Sequence, residues 1–200
     1  ELCICDDSSS AVSVKTILRS YQSSDPRVKL IFREKNGHIC EASNDALRMA
    51  TGEYVALLDH DDILADNALY WVARELQKKP QANLIYSDED KVNDDGMRAC
   101  PHFKPAFNID LLLSYNFISH LGVYRREILK QIGGFRVGFE GSQDHDLALR
   151  TVLESSPDQI IHIPRVLYHW RAHSESTASN PDSKDYTTES GHKAVQHFLD

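Results

Sequence analysis

Three carboxylates and a histidine stand together in "YVALLDHDDIL", residues 54–64, directly after an apolar run that predicts a buried strand. Asp59 and Asp61 are two positions apart. That spacing can aim both carboxylates at one divalent cation, or at a cation and a ribose hydroxyl. Mg2+ and Mn2+ prefer such oxygen ligands, often together with substrate phosphates. From spacing alone, a solvated acidic turn in which Asp62 caps the next segment explains the pattern equally well.

Two more predicted strands also end in acids. Asp6 and Asp7 follow "ELCIC", and an acidic triplet that starts at Asp88 closes "NLIYSDED". A carboxylate there can accept a hydrogen bond from a nucleobase N–H or a ribose hydroxyl. Taken alone, Asp6 and Asp7 are explained better as caps of the helix that follows. Ligands of parallel α/β sheets bind outside the carboxyl ends of the strands, so the acidic strand ends together predict a ligand-binding edge.

Asp144 stands at the start of a predicted helix, "DHDLALRTVLES", after the flexible stretch "EGSQ". The positive end of the helix dipole favours the ionised carboxylate. An ionised carboxylate at a junction of loop and helix can take the proton of a hydroxyl nucleophile. The alternative is an ordinary acid in the first helical turn, a role that Asp146 would fill as well.

Two histidines lie close together in "LYHWRAHSEST". A neutral imidazole of His169 or His173 could complete the ligand shell of a metal, and Arg171 between them could meet a phosphate. A solvated loop histidine is the alternative in each case.

The elements that would position these residues alternate between strands and helices in the first half. Strands are predicted at "ELCIC", "VKLIF", "EYVALLD" and "NLIYSDED", with helices at "NGHICEASNDALRMATG" and "DNALYWVARELQKKP". This alternation predicts an α/β sheet with parallel strands. The second half is less regular, with strand character in "ISHLGVYRR" and "QIIHIPRVLYHWR", a linker-like "SESTASNPDSKD" and a final helix in "TTESGHKAVQHFLD".

The composition is that of a soluble globular domain. The 200 residues are 41% hydrophobic and 26% charged, and no run approaches the roughly 18 apolar residues of a membrane-spanning helix. No secretory leader is visible. The net charge of −8 opposes a nucleic-acid partner, although a divalent cation could screen the phosphates of a smaller ligand. The four cysteines form no CxxC pair, which favours free thiols in a reducing compartment.

The order of these motifs resembles the family 2 glycosyltransferases of the GT-A fold, and most closely the bacterial branch of O-antigen and surface polysaccharide synthesis. "CICDDSS", "GEYVALLDHDD", "LIYSDEDK", "GGFRVGFEGSQDHDLALR" and "HIPRVLYHWRAHSEST" carry the resemblance. It implies an α/β GT-A fold of nucleotide-diphospho-sugar transferases, with a mostly parallel central sheet flanked by helices. Residues 1–177 would form this domain, and 178–200 a linker and the start of a C-terminal helix.

The resemblance also implies roles for particular residues. Asp6 and Asp7 correspond to contacts of the nucleoside, and Asp88 to a residue near the donor sugar. The pair Asp59 and Asp61 corresponds to the contacts with ribose and with the metal-bound diphosphate. The metal ligands implied are Asp61, Asp59 and a histidine of the closing motif, with His173 as first choice and His169 as second.

Asp144 corresponds to the catalytic base of the family. Many members have Glu-Asp at this site, whereas this chain has Gln143 and Asp144, so the second acid alone is retained. The implied reaction moves a sugar with inversion from a nucleotide-diphosphate donor to a hydroxyl of a glycan or lipid-linked acceptor, with Mn2+ or Mg2+ as cofactor. The implied location is the cytoplasm, with peripheral association at the inner face of the membrane through other parts of the full-length protein.

One departure keeps alternatives open. Family members begin with another strand, turn and helix before the segment that matches "ELCICDD", and this chain lacks that first unit. We expect either a fragment of a longer protein, the favoured interpretation, or a rearranged sheet. A GT-A domain that binds nucleotide sugar or serves in assembly without catalysis is the main alternative function. A metal-dependent nucleotidyltransferase, which would release pyrophosphate, is a third.

Overall fold

The computed structural model describes residues 1–171 and 184–200. Its helices are α1 (Val12–Ser24), α2 (His38–Met49), α3 (Ala68–Lys78), α4 (Ile109–Ser114), α5 (Arg126–Gln131), α6 (Gln143–Leu153) and α7 (Lys184–Leu199), with a 3₁₀ turn at Pro157–Gln159. Its strands are β1 (Leu2–Asp6), β2 (Val28–Phe32), β3 (Tyr54–Ala56), β4 (Ile63–Leu64), β5 (Leu84–Val92), β6 (Arg98–His102), β7 (Gly122–Arg125) and β8 (Ile160–Arg171).

The main sheet is built around its two longest strands, β5 and β8. They pair in parallel, and the strand order is β3-β7-β5-β8-β4, with β6 paired to β5. Almost every residue of β5 is buried, as expected for a strand that is covered on both faces. The predicted α/β class is confirmed.

The pairing is mixed, whereas the sequence predicted a mostly parallel sheet. β7 lies between β3 and β5 and runs antiparallel to both. β3, β5 and β8 therefore run in one direction and bring their carboxyl ends to one edge of the sheet, which we call the carboxyl edge. Because β7 runs the opposite way, its amino end reaches this same edge. β1 and β2 pair in parallel in a separate two-stranded sheet.

Alternating residues of the central strands supply two cores. Leu84 and Tyr86 of β5 face a core that also contains Phe117 and Leu147, on the side of α4 and α6. Ile85, between them, faces the opposite core, which contains Val72 of α3. Packing on both faces fixes the register of β5, because a shift by one residue would exchange the two faces.

The last helix packs on the first of these cores. Ala194 is buried there, and the His197 ring meets the edge of the Phe139 ring at 5.5 Å between centroids. The predicted linker and the boundary at residue 177 lie outside the described residues. None of the helices in the described part is long and apolar enough to span a membrane. All four cysteines are described, and each is a free thiol.

Candidate active site

Three side chains meet at the carboxyl edge. Asp59 and Asp62 follow β3, and His120 precedes β7. Each offers one ligand atom, and these atoms all lie within 4.8 Å of one another. The His120 Nε2 atom is 3.9 Å from the nearest carboxylate oxygen of Asp59. Two carboxylates and an imidazole are a donor set that suits a divalent transition metal such as Mn2+, so the residues fit the metal that the resemblance implies.

Hydrogen bonds attach the turn that carries Asp59 and Asp62 to β8. The Tyr168 hydroxyl donates to Asp62 Oδ2 at 2.6 Å and accepts the Asp59 N–H at 3.2 Å. The Arg171 N–H donates to Asp62 Oδ1 at 2.8 Å, and its Nε donates to the Asp61 carbonyl at 2.7 Å. Asp62 is thus oriented through both of its carboxylate oxygens.

His120 is held by its ring and by its backbone. The imidazole stacks on the Tyr168 ring at 4.6 Å between centroids, with an angle of 12° between the planes. Its backbone N–H donates to Glu89 Oε2 at 3.1 Å. Sequence reasoning did not select His120, although "ISHLGVYRR" was predicted as a strand. The missing signal was the direction of that strand, since only an antiparallel β7 places its amino end beside Asp59.

The negative charges at this edge act on one another. Burial raises the pKa of the Asp59 carboxyl, although half of the side chain (51%) is exposed. The charges of Asp62, Asp144 and Asp61 raise this pKa further, while His120 lowers it. A bound cation would relieve this repulsion.

Asp144 lies in the first turn of α6, as predicted, and points to the loop that carries His120. Its Oδ2 atom accepts a hydrogen bond from Asn116 Nδ2 at 2.7 Å. The other end of the Asn116 amide accepts the Ser119 N–H at 3.2 Å. The loop from Asn116 to His120 therefore joins the predicted base to the cluster of Asp59, Asp62 and His120.

The predicted metal ligands are only partly brought together. Asp59 is in the cluster, but Asp61 is not among its three members, and the Asp61 side chain is 39% exposed with His60 Nδ1 at 3.9 Å. His173, the first choice of histidine, lies outside the described residues. His169, the second choice, is 2.6 Å from an Asp90 oxygen through Nδ1.

Asp6 and Asp7, the predicted nucleoside contacts, bind other groups of the protein in this structure. Asp6 is buried, and its Oδ2 accepts the Ser9 N–H at 3.3 Å. Asp7 accepts the Gly37 N–H at 2.9 Å and pairs with the Arg33 Nε at 3.0 Å. Neither is the cap of α1 that the residues alone favoured, because Ala11 occupies that position.

Asp88 is buried in the middle of β5, which continues to Val92, so it does not end the strand as the sequence predicted. Its Oδ1 atom accepts two hydrogen bonds, from the Lys104 N–H at 2.9 Å and from His162 Nε2 at 2.8 Å. The His162 ring in turn stacks on Tyr86 at 4.8 Å between centroids. These contacts fix Asp88 beside the segment that follows β6.

Fold and site together define a class of protein. Two carboxylates lie beside an imidazole at one edge of an α/β sheet, and a separate acid at the start of α6 is hydrogen-bonded to the loop that carries the imidazole. The chain belongs to glycosyl transferase family 2, whose family model matches residues 1–133.

The chain is also similar to a named relative and shares its fold with two solved structures. The chain is 36% identical to the O-antigen biosynthesis protein RfbC of Myxococcus xanthus over 199 residues, which are 100% of this chain and 16% of that protein. The crystal structure of S. aureus TarS 1-349 in complex with UDP aligns with a TM-score of 0.68 at 18% identity and covers 98% of this chain and 60% of that one.

A second solved structure is the mannosyltransferase PcManGT from Pyrobaculum calidifontis in complex with GDP-Man and Mn2+. It aligns with a TM-score of 0.62 at 17% identity and covers 98% of this chain and 63% of that one. These likenesses confirm the GT-A fold. The chain spans only 22% and 16% of the lengths of two curated relatives that it matches.

Proposed function

We propose that this chain is the catalytic domain of an inverting, metal-dependent glycosyltransferase of surface polysaccharide synthesis. It would move a sugar from a nucleotide-diphosphate donor to a hydroxyl of a glycan or lipid-linked acceptor. The observation that supports this proposal is the cluster of Asp59, Asp62 and His120, whose ligand atoms lie within 4.8 Å of one another. The loop that leads to His120 is hydrogen-bonded to Asp144 through Asn116. The family assignment, and a relative named for O-antigen biosynthesis, support the same conclusion.

The cation in this proposal is Mn2+ or Mg2+, held by Asp59, Asp62 and His120. When bound, it supplies positive charge that neutralises the leaving nucleoside diphosphate. Asp62 is oriented for this task by Tyr168 and by the backbone of Arg171. Asp61 and His173 remain predicted ligands, since Asp61 lies one residue away from the cluster and His173 follows β8 by two residues.

Asp144 is the proposed general base. It lies in the first turn of α6, and the Asn116 amide fixes the orientation of its carboxylate. The ionised carboxylate would accept the proton of the acceptor hydroxyl as that oxygen attacks the sugar. A positioned base of this kind contributes about 10²- to 10⁴-fold in rate.

Donor binding would involve Asp6, Asp7 and Asp88, with Asp59 on the ribose. We further propose that the domain works in the cytoplasm and meets a membrane-bound acceptor through other parts of the full-length protein. A thermal-shift screen of nucleoside diphosphates, with and without Mn2+, would narrow the donor specificity. A ligand that binds only the native state raises the melting temperature.

The alternative is a GT-A domain that binds nucleotide sugars without transferring them. One observation favours it: Asp7, a predicted nucleoside contact, is already paired with Arg33. Assays of donor turnover and transfer with Mn2+, on this chain and on the full-length protein, separate the two functions. Release of nucleoside diphosphate that disappears in Asp144→Asn supports the transferase. Donor binding without turnover in the full-length protein supports the alternative, and release of pyrophosphate would identify a nucleotidyltransferase.

A further inference from the structure

A buried ion pair lies directly behind the candidate metal ligands. The Lys104 side chain is fully enclosed, with 0% of it exposed, and its Nζ contacts Glu89 Oε2 at 3.1 Å. The same ammonium donates to the Ile118 carbonyl at 2.7 Å and to the His120 carbonyl. A lysine ammonium has three N–H groups, so all three have acceptors in this arrangement.

Glu89 completes the arrangement from the other side of His120. Its Oε2 atom, which accepts from Lys104, also accepts the His120 N–H at 3.1 Å. The N–H and the carbonyl of one residue, His120, are thus both bound to one ion pair.

Glu89 differs in this respect from its two acidic neighbours on β5. Asp88 is bound to His162 and Asp90 to His169, so each contacts β8. The Glu89 carboxylate instead contacts Lys104 and His120 through Oε2, and His102 of β6 at 3.5 Å through Oε1. The acidic triplet of β5 is a predicted ligand-binding feature, but its middle member, Glu89, binds groups of the protein itself.

Stability alone gives a weak reason for this pair. Desolvation of two buried charges is expensive, and an apolar pair of similar volume is often as stable. A hydrophobic pair, however, would leave the backbone of His120 without these partners. The ion pair does what a hydrophobic pair cannot do, which is to fix the position of one residue by directional hydrogen bonds.

We propose that Glu89 and Lys104 are positioning residues, which hold His120 in register with Asp59 and Asp62 so that the three bind one cation. This inference rests on the proposed function, because it assigns a purpose to His120 in metal binding. Neither Glu89 nor Lys104 touches the cation in this arrangement. Both act through the backbone of His120.

The chain contains a matched control in α6. Arg150 donates through Nε to Asp146 Oδ2 at 2.9 Å, and through its two terminal nitrogens to the carbonyls of Ile132 and Gly134 at 2.8 and 2.6 Å. Like Lys104, Arg150 is a largely buried cation bound to one carboxylate and two carbonyls, but it holds a different loop. Arg150→Met therefore reproduces the loss of such an arrangement without disturbing His120.

The test compares Lys104→Met and Glu89→Gln with Arg150→Met and the wild type, after circular dichroism has verified folding. The Kd for Mn2+ is measured from the electron paramagnetic resonance signal of the free ion. In metal-free protein, the nuclear magnetic resonance shift of the His120 ring reports its stacking on Tyr168. His120→Ala assigns that resonance and defines the affinity of a site without the imidazole.

We expect Lys104→Met and Glu89→Gln to weaken Mn2+ binding at least tenfold, towards the value of His120→Ala, and to shift the His120 resonance. Arg150→Met should leave both quantities at the wild-type value even where it lowers the melting temperature. If Lys104→Met does not fold, Glu89→Gln decides, because it keeps the shape and one acceptor oxygen of the side chain.

Two other results have distinct meanings. Wild-type Mn2+ affinity and an unshifted His120 resonance in Glu89→Gln would overturn the positioning role. Absence of Mn2+ binding by the wild-type chain would contradict the proposed metal site instead. In that case the proposed role of Glu89 and Lys104 in metal binding is overturned as well. The His120 resonance then shows separately whether the two residues fix the position of the His120 ring.

Discussion

The Tyr168 hydroxyl donates a 2.6 Å hydrogen bond to Asp62 Oδ2, although the two residues are 106 positions apart in the chain. Burial raises the pKa of Tyr168, so the phenol stays protonated and acts as the donor. The same hydroxyl accepts the Asp59 N–H, and the same ring stacks on His120. One side chain of β8 therefore contacts all three members of the candidate metal cluster.

The first prediction concerns this hydroxyl. Tyr168→Phe keeps the stacking on His120 but removes the hydrogen bonds to Asp62 and Asp59. A hydrogen bond to a charged group contributes about 1.5–3 kcal/mol, so we expect a lower free energy of unfolding and weaker Mn2+ binding. Urea denaturation and calorimetric titration measure the two effects.

Tyr70→Phe is the control for this change, because Tyr70 is exposed on α3. It should alter neither quantity. Equal behaviour of the two variants would show that the Tyr168 hydroxyl does not organise the metal cluster.

The second prediction distinguishes the two aspartates beside Asp59. The sequence motif points to Asp61 as a metal ligand, whereas the structure places Asp62 in the cluster with His120. We expect Asp62→Asn to weaken Mn2+ binding more than Asp61→Asn does, since amide oxygens bind divalent cations less strongly than carboxylates. Calorimetric titration of both variants gives the order, and a greater loss in Asp61→Asn would restore the motif-based assignment.

Much of this site could be predicted from local sequence. The loop before Asp144 sets a helix start, and α6 forms where the pattern indicated, whereas the strand predicted to reach Asp59 ends at Ala56. These signals are local, because hydrophobic periodicity and helix dipoles act over a few residues. That Asp59 and Asp144 lie at the same edge could be predicted because ligands of α/β sheets bind outside the carboxyl ends of the strands.

The remaining features depend on contacts between distant residues. Nothing around His120 marks it as different from other strand-flanking histidines until β7 is known to run antiparallel to β3. The pairing of Asp7 with Arg33 likewise depends on how β1 and β2 come together. Asp61 and Asp62 are adjacent, and the hydrogen bonds from Tyr168 and Arg171 decide which of them faces the cluster.

The third prediction follows from the raised pKa of Asp59. The pKa of Asp59 is higher in the folded state than in the unfolded state. Above the raised pKa the carboxyl is ionised and destabilises the fold. This penalty disappears as the pH falls below the unfolded pKa of about 3.9. At pH 7 without metal, Asp59→Asn should therefore raise the melting temperature. The gain should stay below about 1 kcal/mol, because solvent screens the half-exposed side chain.

Three comparisons check this explanation. At pH 3 the stabilisation by Asp59→Asn should vanish, because Asp59 is then protonated in both states. Asp95→Asn, in an exposed turn, should have little effect at either pH. With Mn2+ present, the wild type should gain stability that Asp59→Asn does not. A metal-free Asp59→Asn protein that is less stable than wild type at pH 7 would contradict the proposed repulsion.

The fourth prediction concerns Asp144 as general base. Asp144→Asn keeps the shape of the side chain and a possible contact with Asn116 but cannot accept the acceptor proton, so we expect kcat to fall about 10²- to 10⁴-fold. The Kd for donor and Mn2+ should stay within about threefold of wild type, because a base on the acceptor side contributes to the transition state rather than to ground-state binding. Single-turnover transfer assays and titration calorimetry measure the two quantities. Gln143→Ala, the preceding residue, is the matched control and should retain transfer, and normal transfer by Asp144→Asn would assign the base elsewhere.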